Sequence, residues 1–160
     1  IAYERPVYFV CEARSGPAVL SVGAPFRLLI ADTGLPSPTR RLVSGVRARR
    51  DQDRERYDTI IEGIGEIARR ARCVIEAGRV SELGPLMTAN HRLLVNLGVS
   101  SSVLDGLVDA ARQAGARGAK LSGAGHGGNV VALIPPGAGR CVERALRDAG
   151  AVRVIPTAVG

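Results

Sequence analysis

An α+β fold built on an antiparallel sheet is what this 160-residue sequence predicts, from three observations. Apolar segments of strand length alternate with longer segments whose apolar residues recur every three or four positions. Glycine and proline fall at nearly every junction between them. Apolar residues make up 46% of the chain against 23% charged, ordinary globular usage that excludes a disordered chain and supports a core without disulfide or metal staples.

Residues 1–23 read as a hairpin. Val7, Phe9 and Cys11 alternate with Tyr8, Val10 and Glu12, Ser15-Gly16-Pro17 supplies a turn, and residues 18–22 return. A lone two-stranded hairpin is marginal in water, so this one needs another surface to lean on. Residues 26–31 form a third strand, rich enough in Leu and Ile for burial on both faces. It runs into Asp32-Thr33-Gly34-Leu35-Pro36-Ser37-Pro38-Thr39, a loop with two prolines whose Thr39 is placed to cap a following helix.

From Tyr57 the apolar residues fall at 57, 60, 61, 64, 67, 68, 71, 74 and 75, a 3.6-residue period that Gly78 terminates. A second helix is capped by Ser81, tolerates Pro85 in its early turns and ends at Gly98. A third opens on a capping-box pattern, Ser102 with Asp105, and ends at Gly115. Three helices therefore follow in series. After them come a strand over 119–122, a glycine-rich loop, a strand over 129–134, a helix over 139–149 and a last strand over 152–155. With two helices set aside as an insertion, residues 26–160 spell β-α-β-β-α-β, the split order of a ferredoxin-like sandwich.

No apolar run reaches the 18 or so residues a membrane-spanning helix needs, so no membrane partner is expected. The chain opens at Ile1 on strand-like residues without an initiator Met, which reads as a cut within a longer protein. Cys11, Cys73 and Cys141 are odd in number and far apart, and with only His91 and His126 beside them they build neither a disulfide framework nor a zinc site. A reducing cytoplasm is the expected compartment.

The formal charge is +7, and Lys120 is the only lysine among the 22 basic residues. Arg47, Arg49, Arg50, Arg54 and Arg56 alternate with Asp51, Asp53 and Glu55, a pattern that reads as a solvated helix face. Nucleic acid is not an expected partner, because base stacking wants aromatic platforms and the chain has two Phe, three Tyr and no Trp. The basic balance still suits small anionic ligands.

Chemistry concentrates in Ser122-Gly123-Ala124-Gly125-His126-Gly127-Gly128-Asn129. Four glycines in six positions free the backbone from side-chain sterics and let successive N–H groups face one concavity, a nest for phosphate. Gly123, Gly125 and Gly128 match the dinucleotide fingerprint in spacing, but that motif opens a helix and here a strand follows. A Walker loop is excluded too, since no Lys-Ser or Lys-Thr follows the last glycine. The plain alternative is a long hairpin turn.

At this loop the sequence resembles a known family. Lys120-Leu121-Ser122-Gly123-Ala124-Gly125-His126-Gly127-Gly128 is similar to the third signature of the GHMP small-molecule kinases. Ile30-Ala31-Asp32-Thr33-Gly34, with Pro36-Ser37 and Thr39-Arg40, resembles the loop that the mevalonate kinases of this family carry after the first strand of their C-terminal domain. Met87, Asn90, His91 and Leu94 fit the family's Met-x-x-Asn-(His or Gln)-x-x-Leu helix, and Pro156-Thr157-Ala158-Val159-Gly160 is similar to the end of several members.

The resemblance implies a division of labour. Residues 25–160 correspond to the C-terminal domain, and residues 1–24 to a hairpin remnant of an N-terminal kinase domain. That other domain would carry the ATP-phosphate loop and the catalytic aspartate, neither of which occurs here, so no catalytic residue is expected in this chain. ATP with Mg²⁺ is the implied cofactor and mevalonate the implied alcohol substrate. Ser122, Gly123, Ala124, Gly125, His126, Gly127 and Gly128 would bind phosphate or substrate, with Lys120, Asp32, Thr33, Thr39 and Arg40 on the substrate side and no protein metal ligands. Two departures stand out: His126 where glycine is frequent, and Asn129 where Cys is common. Rival readings are phosphomevalonate kinase, another GHMP kinase, or a non-catalytic binding or oligomerisation module. An exposed hairpin edge adds a homodimer to the expected partners. Asn90 and His91 read as a buried, hydrogen-bonded pair.

Overall fold

A computed structural model describes residues 6–10 and 16–160. The strands β1 (Val7–Tyr8) and β2 (Ala18–Val19) pair antiparallel, Val7 opposite Val19, so the predicted hairpin is present in a short form; Cys11, Glu12 and Ser15 lie outside the described residues. The hairpin does find a surface. Arg72 stacks over the Tyr8 ring at 4.8 Å, and the Gly23 N–H donates to the Ile75 carbonyl at 3.0 Å.

The main sheet holds β3 (Phe26–Asp32), β4 (Gly118–Ser122), β5 (Asn129–Ile134) and β6 (Arg153–Val159) in the order β4-β5-β3-β6, every neighbour antiparallel. That is the ferredoxin-like order predicted. Pro156 is accommodated inside β6 because β6 is an edge strand, where half of the N–H groups have no ladder partner to lose; the strand therefore runs to Val159, past the expected end at 155.

Helices differ from expectation in number. Between β3 and β4 there are four: α1 (Thr39–Gln52), α2 (Arg54–Glu76), α3 (Val80–Asn96) and α4 (Ser102–Gln113), and α5 (Gly139–Asp148) joins β5 to β6. The charged stretch before Tyr57 conceals a break at Asp53, whose extended backbone ends α1 and whose side chain accepts from the Arg56 N–H to cap α2. Caps shift too. Pro38 holds the N-cap position of α1 and makes no side-chain bond there, α3 starts at Val80 without a side-chain cap, and Ser101 caps α4 by accepting from the Leu104 N–H. Thr39, Ser81 and Ser102 are each inside their helix.

The period-2 alternation of the strands decides the layers. Leu29, Ala31, Leu121, Val130 and Ala132 face α4 and α5, whose Leu104, Leu107, Val142 and Leu146 are fully buried. Burial of each such side chain stabilises the fold by about 1.5–3 kcal/mol. The opposite face carries Leu28, Val131 and Leu133 and is covered by Val74 of α2 and Leu83, Leu86 and Met87 of α3. The helices set aside as an insertion thus build a third layer, and α4 is the crossover helix of the split motif.

Candidate functional site

The ends of β3 and β4 and the starts of β5 and β6 meet at one edge of the sheet, where Ser122, Asn129, Asp32 and Arg153 lie in register across the four strands. The loop of residues 123–128 leaves from this edge. Gly123, Gly125 and Gly128 have φ of 100°, 99° and 78°, which only glycine adopts without strain, so three of the four glycines are demanded by the backbone path. Gly127 is required by space. A Cβ there would come 2.7 Å from the Leu35 carbonyl oxygen and 2.8 Å from that of Pro36.

Two segments clamp the loop. On one side lies the stretch after β3. The Thr33 N–H and hydroxyl both donate to the Gly128 carbonyl at 2.9 Å, the Gly128 N–H donates to the Leu35 carbonyl at 3.1 Å, and the Ser37 hydroxyl donates to the Gly125 carbonyl at 2.7 Å. On the other lies the α3–α4 junction, where the Val99 carbonyl accepts from the His126 N–H at 3.0 Å. A Cβ on Gly125 would overlap that same carbonyl. Loop amides 126 and 128 are spent on these clamps. Those of Gly123, Ala124, Gly125 and Gly127 donate to no protein acceptor among the described residues.

His126 is exposed and sits at φ 57°, a left-handed conformation that costs a non-glycine residue about 1–2 kcal/mol. This is a physical reason for glycine to be favoured there. Asp32 bends the chain after β3 by accepting from the Gly34 N–H at 2.9 Å. Thr33 is 5% exposed, and its hydroxyl also accepts from the Leu35 N–H, so it serves as a clamp with little left for a ligand. Thr39 and Arg40 are exposed in the first turn of α1, which begins two residues after Ser37. Two helices, α1 and α4, therefore start within three residues of atoms that hold the loop, and helix N-termini favour anions.

Lys120 faces the α3 side of the sheet. Its ammonium donates to the Leu121 carbonyl at 2.7 Å, and burial pushes its pKa below the usual lysine value. His91 and Asn90 are both buried on α3. The bonds of His91 run to β4 and α4 and none to Asn90: its Nδ1 accepts from the Leu121 N–H at 3.4 Å, and its Nε2 lies 3.2 Å from Asp105 Oδ1.

Sequence reasoning missed Ser37 and Val99 as loop holders. A serine between two prolines could have signalled the first; a backbone carbonyl leaves no sequence signal. It also misjudged one arginine of the basic cluster. Arg49 is half-buried and donates to the Leu97 carbonyl at 3.0 Å, satisfying the C-terminal end of α3. Arg50 and Arg54 pair with Asp58 as a solvated face would.

Comparison with known proteins agrees with this arrangement. The family described as GHMP kinases C terminal matches residues 66–152. The chain is 41% identical over 133 residues to a mevalonate kinase of Pyrococcus horikoshii, covering 80% of this chain and 39% of that protein. It is 44% identical over 121 residues to a mevalonate kinase of Aeropyrum pernix, covering 76% and 36%. Among solved structures, the mevalonate kinase of L. major in complex with R-mevalonate superposes with a TM-score of 0.84 at 28% identity, covering 89% of this chain and 45% of that one. The chain spans about two fifths of the length of the curated relatives it matches. By its clamped glycine loop, its sheet order and the family match over more than half its length, the chain belongs to the GHMP kinases and carries their C-terminal domain.

Proposed function

We propose that the chain is the C-terminal half of an ATP-dependent mevalonate kinase, which moves the γ-phosphoryl group of ATP to the primary hydroxyl of mevalonate. The carrying observation is the set of four loop amides without acceptors among the described residues, held at the sheet edge by Thr33, Ser37 and Val99. Phosphoryl transfer asks the protein for positioning and charge stabilisation more than covalent chemistry. Amides fixed by clamps on both sides need no reorganisation to receive phosphate oxygens. The mevalonate kinase relatives at about 40% identity support the substrate.

In this reading residues 25–160 form the C-terminal domain, and residues 1–24 belong with an N-terminal kinase domain that supplies the ATP-phosphate loop and the catalytic aspartate. Lys120, Asp32, Thr39 and Arg40 border the substrate side. Among the described residues no group of three or more His, Cys, Asp or Glu could hold a metal. In this reading the phosphate arrives with its Mg²⁺. Mg²⁺ neutralises phosphate charge when bound. No described helix is long and apolar enough to cross a membrane. The free thiols of Cys73 and Cys141 suit the cytoplasm. Self-association through the β1–β2 edge belongs to the same reading.

Measuring ADP release by the intact enzyme with Mg²⁺ and mevalonate, 5-phosphomevalonate, homoserine or galactose tests the assignment. Turnover on mevalonate is expected; turnover confined to another alcohol, or none, overturns it.

A further inference from the structure

The glycine loop is launched from β4, and β4 is an edge strand whose outer side no other strand covers. At Leu121, two residues before the first loop glycine, Gly123, both outward backbone groups are taken by side chains. The N–H goes to His91 Nδ1 at 3.4 Å and the carbonyl to the Lys120 ammonium at 2.7 Å. The imidazole's other nitrogen lies 3.2 Å from Asp105 Oδ1, and that oxygen accepts from the Ser100 hydroxyl at 2.5 Å. Ser100 is the neighbour of Val99, whose carbonyl holds the His126 N–H on the far side of the loop. A closed circuit results: α3 touches the chain before the loop through His91, the α3–α4 junction touches the loop's middle through Val99, and Asp105 braces the two contacts against each other.

We infer that His91 is a positioning residue for the loop, a neutral imidazole carrying its proton on Nε2 that fixes where β4 ends and the free amides begin. An imidazole that accepts at Nδ1 must be unprotonated there, which leaves Nε2–H to donate to the carboxylate. The charged groups around the ring are Asp105 and Asp109 of α4 and Lys120 of β4. Burial is the largest influence and lowers the pKa of His91, the carboxylates oppose it, and the nearby ammonium adds to it. Protonation would turn Nδ1 into a donor facing the Leu121 N–H, two donors with no acceptor, and release the strand edge.

The role in loop geometry stands on its own, whereas its consequence for catalysis rests on the kinase reading. Nitrogen NMR of the intact protein at neutral pH reads the tautomer directly, and the Nε2–H form is expected. The variants His91→Gln and His91→Leu then separate positioning from packing. Glutamine offers an acceptor and a donor at nearly the same separation, so Leu121 and the loop amides should keep their chemical shifts. Leucine fills the space without either bond, so the Leu121 amide should exchange roughly tenfold faster, and resonances of residues 123–128 should move while those of α5 stay. Loop resonances unmoved in His91→Leu, or an Nδ1–H or doubly protonated ring in the wild type, overturn the inference; the ring measurement decides even where the leucine variant does not fold. Failure of mevalonate turnover in the wild type would instead strike the kinase reading and leave these shifts untouched.

Discussion

The two ends of β4 meet the same helix in opposite ways. At its start, Gly118 lies against Gly84 of α3 so closely that a Cβ on either residue would overlap backbone of the other segment, a backbone-to-backbone contact. At its finish, α3 reaches the strand through the His91 imidazole, and beyond it the glycines leave amides unpaired. Glycine at the first end lets a helix and a strand touch, whereas glycine at the second releases backbone donors. One residue type thus serves cohesion in one place and ligand binding in another, and the difference lies in what surrounds the missing Cβ.

Substitutions sharpen that contrast. The largest loss of stability is expected from Gly118→Val, which forces α3 off the strand and should cost about 3 kcal/mol or more in denaturant unfolding. Tolerance of valine there, with an unchanged midpoint, would erase the distinction between the two ends. Gly125→Ala comes next, since its Cβ meets the Val99 carbonyl and its φ is 99°; about 2–3 kcal/mol is expected, with loss of kinase turnover in the intact enzyme. Gly123 shares the positive φ but has open space around its Cα, so Gly123→Ala should cost only about 1 kcal/mol and serves as the control. Equal losses at 123 and 125 would mean that the Val99 contact contributes nothing.

The smallest effect is set by pH. His91 has a pKa below its ordinary value of 6.5 in the native protein, so on acidification the unfolded chain takes up this proton first. Its contribution to stability is complete above about pH 6.5 and fades as pH falls through the lower native value. Unfolding midpoints compared between pH 7.5 and pH 5.5 should therefore drop more for the wild type than for His91→Gln. Parallel curves would show that His91 does not titrate differently on folding.

Much of the architecture was legible because it rests on local periodicity. The 3.6-residue spacing from Tyr57 announces which face of α2 is buried, the run of Leu and Ile in β3 announces burial on both faces, and the strand order follows from the sequence of elements. Helix starts were less legible. A serine or threonine near a boundary can cap from several positions, and the choice of Ser101 over Ser102 depends on where the preceding turn leaves the backbone. The break at Asp53 hid in a charged stretch that carries no apolar period. Of the candidate site, the glycine loop was readable from composition, whereas its clamps were not, because Val99 acts through a carbonyl and Ser37 through a contact 88 residues away.

By itself the sequence determined the strands, the long helices and a loop whose backbone is free to turn, because each depends on residues adjacent along the chain. Only the tertiary structure decided which amides of that loop are spent, how Arg49 becomes a helix cap, and how burial lowers the pKa of His91. Those properties come from groups brought together by folding, and an acceptor's presence or a ring's burial has no value until its neighbours are in place.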